Sequence, residues 1–378
     1  MKFFHLSDLH IGKRIHEFSM IEDQAYILDS IIDMIGIHKP DAVILAGDIY
    51  DKAVPSAEAV ALFDSFLCRL TDCGCSVFMI SGNHDSPERI AFGGKLMERS
   101  NVYVAPVYSG KVEPITVSDS FGAINIYLLP FVKPTVVRHY APDAEIESYT
   151  DAMRTVIDGL DMDKSARNIL VTHQFVTGAS RCESEEISVG GSDNVDASVF
   201  DDFDYVALGH IHSPQDIGSS KIRYCGTPLK YSFSEANHQK SVTVVTLENK
   251  GELSVETLPL LPKRDLRELR GEYHSLCMRA NYIGTNTEDY LRITLTDEME
   301  IPNANANLRV IYPNLMQMRY DNTRTRNMMT APETAHVENK DPIELIGDFF
   351  AQQNAKPMEE SQLVRIKQLW EQLEEENA

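Results

Sequence analysis

At 378 residues the chain is too long for one ordinary domain and long enough for a large core with additions. No window approaches eighteen consecutive apolar residues, which excludes a membrane-spanning helix. Acids outnumber bases 57 to 35, so a nucleic acid can be bound only through a local basic patch or with help from a partner. The excess is uneven, with eleven acids against four bases from Glu333 to Ala378. The segment Met1 to Asp8 has too short an apolar run for a signal peptide. Six cysteines lack zinc spacing, with Cys73 and Cys75 as the one close pair, and read as free buried thiols of a cytoplasmic protein.

Residues 2–7 predict a strand that ends in Asp8-Leu9-His10. Side chains two apart on an extended segment share a side, so Asp8 and His10 can reach one ion. After the turn at Gly12-Lys13-Arg14, the spacing predicts a helix from Ile21 to His38 with Ala25, Leu28, Ile31, Ile32 and Ile35 on one face. The apolar run 42–46 predicts a buried strand that delivers Gly47-Asp48 and Asp51 at its C-terminal end, where open α/β sheets put their chemistry. Pro55 to Glu58 opens a helix reaching about Thr71, with Leu62, Phe66, Leu67 and Leu70 inward. A third strand, Ser76 to Ile80, ends in Gly82-Asn83-His84-Asp85, and Pro87-Glu88 starts a helix expected to run to about residue 99.

Residues 102–131 hold further strand material, including Ile124 to Leu129. Glu147 to Leu160 predicts a helix with Met153, Val156, Ile157 and Leu160 as its stripe. Ile169 to Thr172 delivers His173, and Asp204 to Leu208 delivers Gly209-His210-Ile211-His212. Between His173 and Phe200, the segment with Ser180, Gly190, Gly191 and Ser192 reads as a long loop over the site. Three strands, 222–226, 241–247 and 252–258, are expected to close the sheet edges in antiparallel fashion.

Strands alternating with helices, then strands alone, predict a layered α/β sandwich over residues 1–262, with a boundary at Pro262-Lys263. Residues 263–330 are expected to be a small α+β domain around a strand at Leu291 to Leu295, with Asn322 to Ala335 polar and mobile. In the last segment, 331–378, Leu345, Ile346, Phe349 and Phe350 are followed by Pro357 and then by Leu363, Ile366, Leu369, Trp370 and Leu373. Two short amphipathic helices after a polar linker cannot bury their apolar faces alone and are expected to dock on a partner.

Asp8, His10, Asp48, Asn83, His173, His210 and His212 all follow apolar strand-like runs, so one sheet rim can gather them. Mixed nitrogen and oxygen donors without thiolates suit Mn(II), Fe(II), Zn or Co. Two such ions sharing Asp48 could clamp the attacking and leaving oxygens of a phosphodiester. His84 would then protonate the leaving oxygen or stabilise charge, with Asp51 and Asp85 orienting ligands and His84. Each of these residues alone is an ordinary cap, turn or core residue; the joint pattern carries the reading.

The order of D-x-H, GDxxD, GNHD, H and GHxH resembles the calcineurin-like metallophosphoesterase superfamily, which implies a four-layer αββα sandwich. That superfamily spans phosphatases, cyclic phosphodiesterases and nucleases. Longer strings narrow it: Ser7 to Lys13, Gly47 to Lys52 with Val54-Pro55-Ser56, Ala207 to His212 with Pro214-Gln215, and Tyr224 to Glu235 resemble the SbcD family of nuclease subunits. The resemblance implies Asp8, His10, Asp48 and His212 around one Mn(II), Asp48, Asn83, His173 and His210 around the other, and a catalytic His84. Asp51 departs from archaeal and eukaryotic relatives, which often carry histidine there.

The same resemblance implies a capping domain on DNA over 263–330 and SbcC, an SMC-like ATPase, as the partner of Leu345, Phe349, Phe350, Leu363, Ile366 and Trp370. It also implies a homodimer, for which the helices expected at 56–71 and 86–99 are available. Lys13, Arg14, His16, Lys52, Arg264 and Arg267 are the candidate DNA contacts, with Lys263, Arg270, Arg319, Arg324 and Arg326 as further phosphate contacts. The implied activity is Mn-dependent exo- and endonucleolytic cleavage at double-strand ends and hairpins, in the cytoplasm at the nucleoid. The alternatives are a small-molecule phosphodiesterase or phosphatase, and a DNA-end tether with a vestigial site.

Overall fold

In a computed structural model, which describes residues 1–183, 185, 193–330, 342–354 and 356–376, the chain forms two compact units, Met1–Leu266 and Arg267–Ala378. The first unit is built on two six-stranded sheets. One runs in the order Leu253–Pro259, Ser241–Leu247, Lys2–Leu6, Ala42–Ala46, Ser76–Ile80, Val102–Val104. The other runs Gln215–Ile217, Ser219–Tyr224, Tyr205–Gly209, Arg167–His173, Gly122–Leu129, Pro114–Asp119.

Alternation along the strands sorts side chains between layers. Phe3, Ala42, Ile44, Ala46, Phe78 and Ile80 of the first sheet pack with Ile124, Ile126, Ile169, Val171, Tyr205 and Ala207 of the second. The opposite face of the second sheet, with Tyr127, Leu170 and Val206, packs with Met153, Val156 and Ile157 of the helix Tyr149–Asp158. Helices Ile21–His38 and Ala57–Asp72 bring their own buried stripes. The layers are the αββα sandwich expected from the sequence.

Local details depart from the sequence reading. The stripe of the first long helix is Gln24, Ile27, Leu28, Ile31 and Ile35, with Ala25 and Ile32 only half-buried. That of the second is Ala59, Phe63, Phe66 and Leu70. The helix expected over 86–99 is instead two single turns, Pro87–Ile90 and Gly94–Met97, and a 3₁₀ turn at Glu98–Ser100. Gly93 between the turns has φ +76°, a left-handed conformation that ends a helix. The strand at Ser219–Tyr224 lies inside its sheet and runs parallel to Tyr205–Gly209, so it closes no edge. Pro134–Tyr140 is a helix that the sequence reading lacked. Of the six cysteines only Cys75 and Cys225 are buried, and Cys68 and Cys73 are exposed.

Within the second unit, Leu266–Gly271, Tyr290–Leu295 and Leu315–Tyr320 form a three-stranded sheet, the last two parallel. Its core is Leu291, Ile293, Leu295, Leu308, Tyr312 and Leu315. The sequence reading had one of these three strands. Thr323–Thr330 is helical where a mobile stretch was expected, and 331–341 lie outside the described residues. The two tail helices are Pro342–Asn354 and Glu360–Glu376. Leu345, Phe350, Leu363, Ile366 and Trp370 are half-buried and Phe349 is 62% exposed, so this pair leaves apolar surface uncovered.

Candidate metal centre

Five strands that are parallel within their sheets end at one place. Lys2–Leu6, Ala42–Ala46 and Ser76–Ile80 come from one sheet, Arg167–His173 and Tyr205–Gly209 from the other. Beyond the sheet the first two chains stay paired, with Asp8 N donating to Gly47 O (3.0 Å), His10 N to Asp48 O (3.0 Å) and Ile11 N to Ile49 O (2.9 Å). Asp8, His10, Asp48 and His210 sit at φ +53°, +45°, +49° and +100°. Left-handed backbone at a non-glycine residue costs about 1–3 kcal/mol and persists only where the surroundings over-determine it. Here the strain turns four side chains into one pocket.

The seven residues expected as ligands are brought together. His10 Nε2 lies 3.2 Å from His212 Nε2. Asn83 Oδ1 lies 3.0 Å from His173 Nε2 and 2.9 Å from His210 Nδ1. Asp48 Oδ2 is central, 3.4 Å from His173 Nε2, 3.7 Å from His10 Nε2 and 3.9 Å from His84 Nε2. Asp8 Oδ1 is 4.0 Å from His173 Nε2. Three groups hold donor atoms within 4.8 Å of one another: Asp8, His10 and His212; His10, Asp48 and His84; Asp8, Asp48 and His173. His84 is thereby close enough to compete as a ligand, which the sequence did not suggest.

The electrostatics suit a cation. Burial drives His10 well below its ordinary range and His210 down to about 3, so both rings are neutral lone-pair donors. Burial also opposes charge on His173, but the Asp48 and Asp8 carboxylates outweigh it and hold that ring up at about 9. For Asp48, burial pushes the carboxyl up and the neighbouring His173, His10 and His84 pull it below its ordinary range. Burial and the Asp48 charge raise Asp8. Among the described residues no lysine or arginine pairs with Asp8 or Asp48, and buried His10 Nδ1 has no hydrogen-bond partner. The neutral rings of His10 and His210, an amide oxygen and two carboxylates, packed dry, form a donor set that divalent ions fit, and an ion beside Asp48 would take the place of the His173 proton.

Supporting residues hold the rim in place. His173 Nδ1 donates to Ala46 O (2.8 Å), which aims Nε2 inward. Asp85 accepts from Gly82 N, Ile49 N and Tyr50 N at 2.9, 3.0 and 2.9 Å, tying two ligand loops together. Its oxygens are spent on backbone, so it acts as a clamp between the two loops. Asp51 accepts from Lys13 Nζ (2.7 Å) and lies 3.9 Å from His10 Nδ1. Gly209 is required by close approach: a Cβ there would lie 1.9 Å from Ala46 O and 2.6 Å from His173 Nδ1. Gly209→Ala is expected to cost about 1–3 kcal/mol of stability, readable as a lower unfolding temperature; an unchanged temperature contradicts the packing described.

Several contributors escaped the sequence reading. Gln24 donates to His10 O (2.7 Å) and to Tyr231 OH (3.0 Å), and Tyr231 OH donates to Leu9 O (2.5 Å). Glu185 accepts from His212 N (2.7 Å), while Gly190, Gly191 and Ser192 of the same expected loop lie outside the described residues. Glu235 and Lys240 form a buried pair beside His212. Glu235 lies within a string quoted for the resemblance, yet nothing in its spacing marks it as part of a site.

The basic candidates divide. Arg14 and Lys52 are exposed and line a cleft of about 350 Å³ with Gly12, Asp51 and Ser56. Lys13 is held by Asp51, and the ring of exposed His16 lies tilted beside Phe233 with centroids 6.0 Å apart. Arg264 is bound to Asp23 (2.6 Å) and Glu22 (3.1 Å), and Arg267 to Asp289 (2.6 Å), so these guanidiniums are already neutralised by carboxylates. Lys263 lies 3.8 Å from Glu22, Arg324 lies 3.2 Å from Glu300, and Arg270 and Arg326 both pair with Asp321.

Residues 1–214 match the calcineurin-like phosphoesterase family model. The chain belongs to the calcineurin-like phosphoesterase family. Residues 262–354 match a second model, SbcD_C, described as the type 5 capsule protein repressor C-terminal domain. The two matches in sequence support the SbcD-type resemblance. Solved structures similar to the chain include a dimetal phosphatase from Danio rerio, at 12% identity and TM-score 0.38, covering 69% of this chain and 96% of that one. A Thermus thermophilus protein, TT1561, matches at 13% identity and TM-score 0.37, covering 68% of this chain and 98% of that one.

Proposed function

We propose that this phosphoesterase is the nuclease subunit of an SbcCD-type complex, hydrolysing DNA phosphodiesters at double-strand ends and hairpins in DNA repair and recombination. The observation that carries the reading is the convergence of five strand ends on one buried donor set, with an SbcD_C segment behind it in the chain. Asp8, His10, Asp48 and His212 would hold one divalent ion, and Asp48, Asn83, His173 and His210 the other, with Mn(II) favoured. When bound, the ions neutralise phosphate charge and supply an activated water.

The residues of the chain divide the remaining work. Asp48 spans the two sets of donors, and its Oδ1 also accepts from His84 N (2.9 Å). His84 Nδ1 donates to Asp51 O (3.1 Å), and the ring stays partly open to solvent. A proton on its Nε2 would pass to the departing DNA oxygen. Asp85 and Asp51 hold the loops and His10 in register. Arg14 and Lys52, with His16 nearby, would carry flanking phosphates; the carboxylate-bound Lys13, Arg264 and Arg267 are left out of that role.

Residues 263–330 would cap the DNA, and the exposed faces of the tail helices would dock on the SbcC ATPase, which offsets the acidic charge of this chain. A second copy would pack on the Ala57–Asp72 helix and the turns after it, where Phe92 and Leu96 are exposed. The setting that follows is the cytoplasm, at the nucleoid. His84→Ala tests the chemistry: DNA binding should persist while metal-dependent cleavage falls about 10²- to 10⁴-fold. Unchanged cleavage removes His84 from its role.

A further inference from the structure

The two halves of the donor set are backed differently. His212 Nδ1 faces Glu235 Oε1 at 3.5 Å, and Glu235 is fully buried. Glu235 Oε2 in turn accepts from Lys240 Nζ (2.6 Å), which also donates to Thr227 Oγ1 (2.6 Å) and His212 O (2.8 Å). A carboxylate behind an imidazole keeps the proton on Nδ1, frees Nε2 as a lone pair, and makes that nitrogen a stronger donor. His212 Nε2 points at His10 Nε2, 3.2 Å away, and these two rings group with Asp8. In the other half, His173 Nδ1 is backed, among the described residues, by the neutral carbonyl of Ala46 alone, and the remaining donors include the uncharged amide of Asn83.

We propose that Glu235 is a positioning residue that orients His212 through its Nδ1 and makes the Asp8–His10–His212 position the tighter of the two divalent-ion positions. Lys240 holds Glu235 in place through one short contact and is itself anchored by two more, to Thr227 and His212 O. Its link to His212 O means that ring and backbone of the same ligand are fixed by one buried pair. The inference rests on the metal-centre reading above and adds an order of filling to it: the first ion enters beside His212, and the second enters the position next to Asn83.

The test is Mn(II) binding to the purified full-length chain by titration calorimetry, with electron paramagnetic resonance following the free and the spin-coupled ion. Glu235→Gln removes the carboxylate but strands Lys240, so Glu235→Gln/Lys240→Met is run beside it to keep the interior neutral. In the double variant the tighter class of sites should weaken about 10- to 100-fold while the weaker class stays put. The spin-coupled signal should then need correspondingly more Mn(II). A merely structural role would lower the unfolding temperature without separating the two classes. Two wild-type classes that both persist unchanged in the double variant, or weaken equally, overturn the proposal alone. A wild-type chain that binds fewer than two ions overturns the metal-centre reading and this inference together.

Discussion

Asp48→Asn is expected to lower metal-dependent phosphodiester cleavage by about 10³-fold or more, because it removes several kcal/mol of charge stabilisation at about 1.4 kcal/mol per tenfold. The residue stands between both donor groups, with Oδ2 within 3.4–3.9 Å of His173, His10 and His84. Asparagine keeps an oxygen for His84 N and nearly the same volume, so the fold should survive. What goes is the negative charge that two ions would share. Assaying cleavage of a DNA substrate across a range of Mn(II) separates the outcomes: a loss that excess metal does not repair supports the shared-ligand role, and near wild-type rates refute it.

Lys240→Met is expected to be the most costly single change away from the ligands. Lys240 is buried, and its three donors are all used on Glu235, Thr227 and His212. Methionine fills similar volume but leaves the Glu235 charge uncompensated, which costs about 3–5 kcal/mol. For a domain of this size that is a fall in unfolding temperature of roughly 10 °C. Glu235→Gln in the same chain should recover much of it, since the stranded charge is what hurts. A single variant as stable as the wild type would show that the pair is not sealed from solvent.

Much of the site was legible because its donors stand directly after apolar runs. Strand patterning located Asp8, Asp48, Asn83, His173 and His210, and parallel pairing of those strands did the assembly. A layered α/β sandwich followed from strands and helices in alternation, and the family resemblance implied its αββα order. What was not legible depends on contacts distant in sequence. Glu235 and Gln24 serve residues 23 and 14 positions away, and Tyr231 caps Leu9 from 222 positions away, so no periodicity reports them.

Backbone geometry was equally hidden. The helix expected to run from Pro87 to about residue 99 has the right composition, but Gly93 turns left-handed and splits it. Arg264 and Arg267 looked like phosphate contacts only because sequence does not show that Asp23 and Asp289 reach them first. Strand direction was missed at Ser219–Tyr224, because a short strand next to a turn reads the same whether its neighbour runs with it or against it.

The most direct test of the central claim is an end-labelled hairpin duplex incubated with the purified chain and Mn(II), with and without the ATPase partner. Chelated and Asp48→Asn reactions serve as controls. Cleavage of the hairpin that requires the metal, vanishes in both controls and rises with the partner is the predicted result. Metal-dependent turnover of a cyclic nucleotide with the duplex left intact would contradict it.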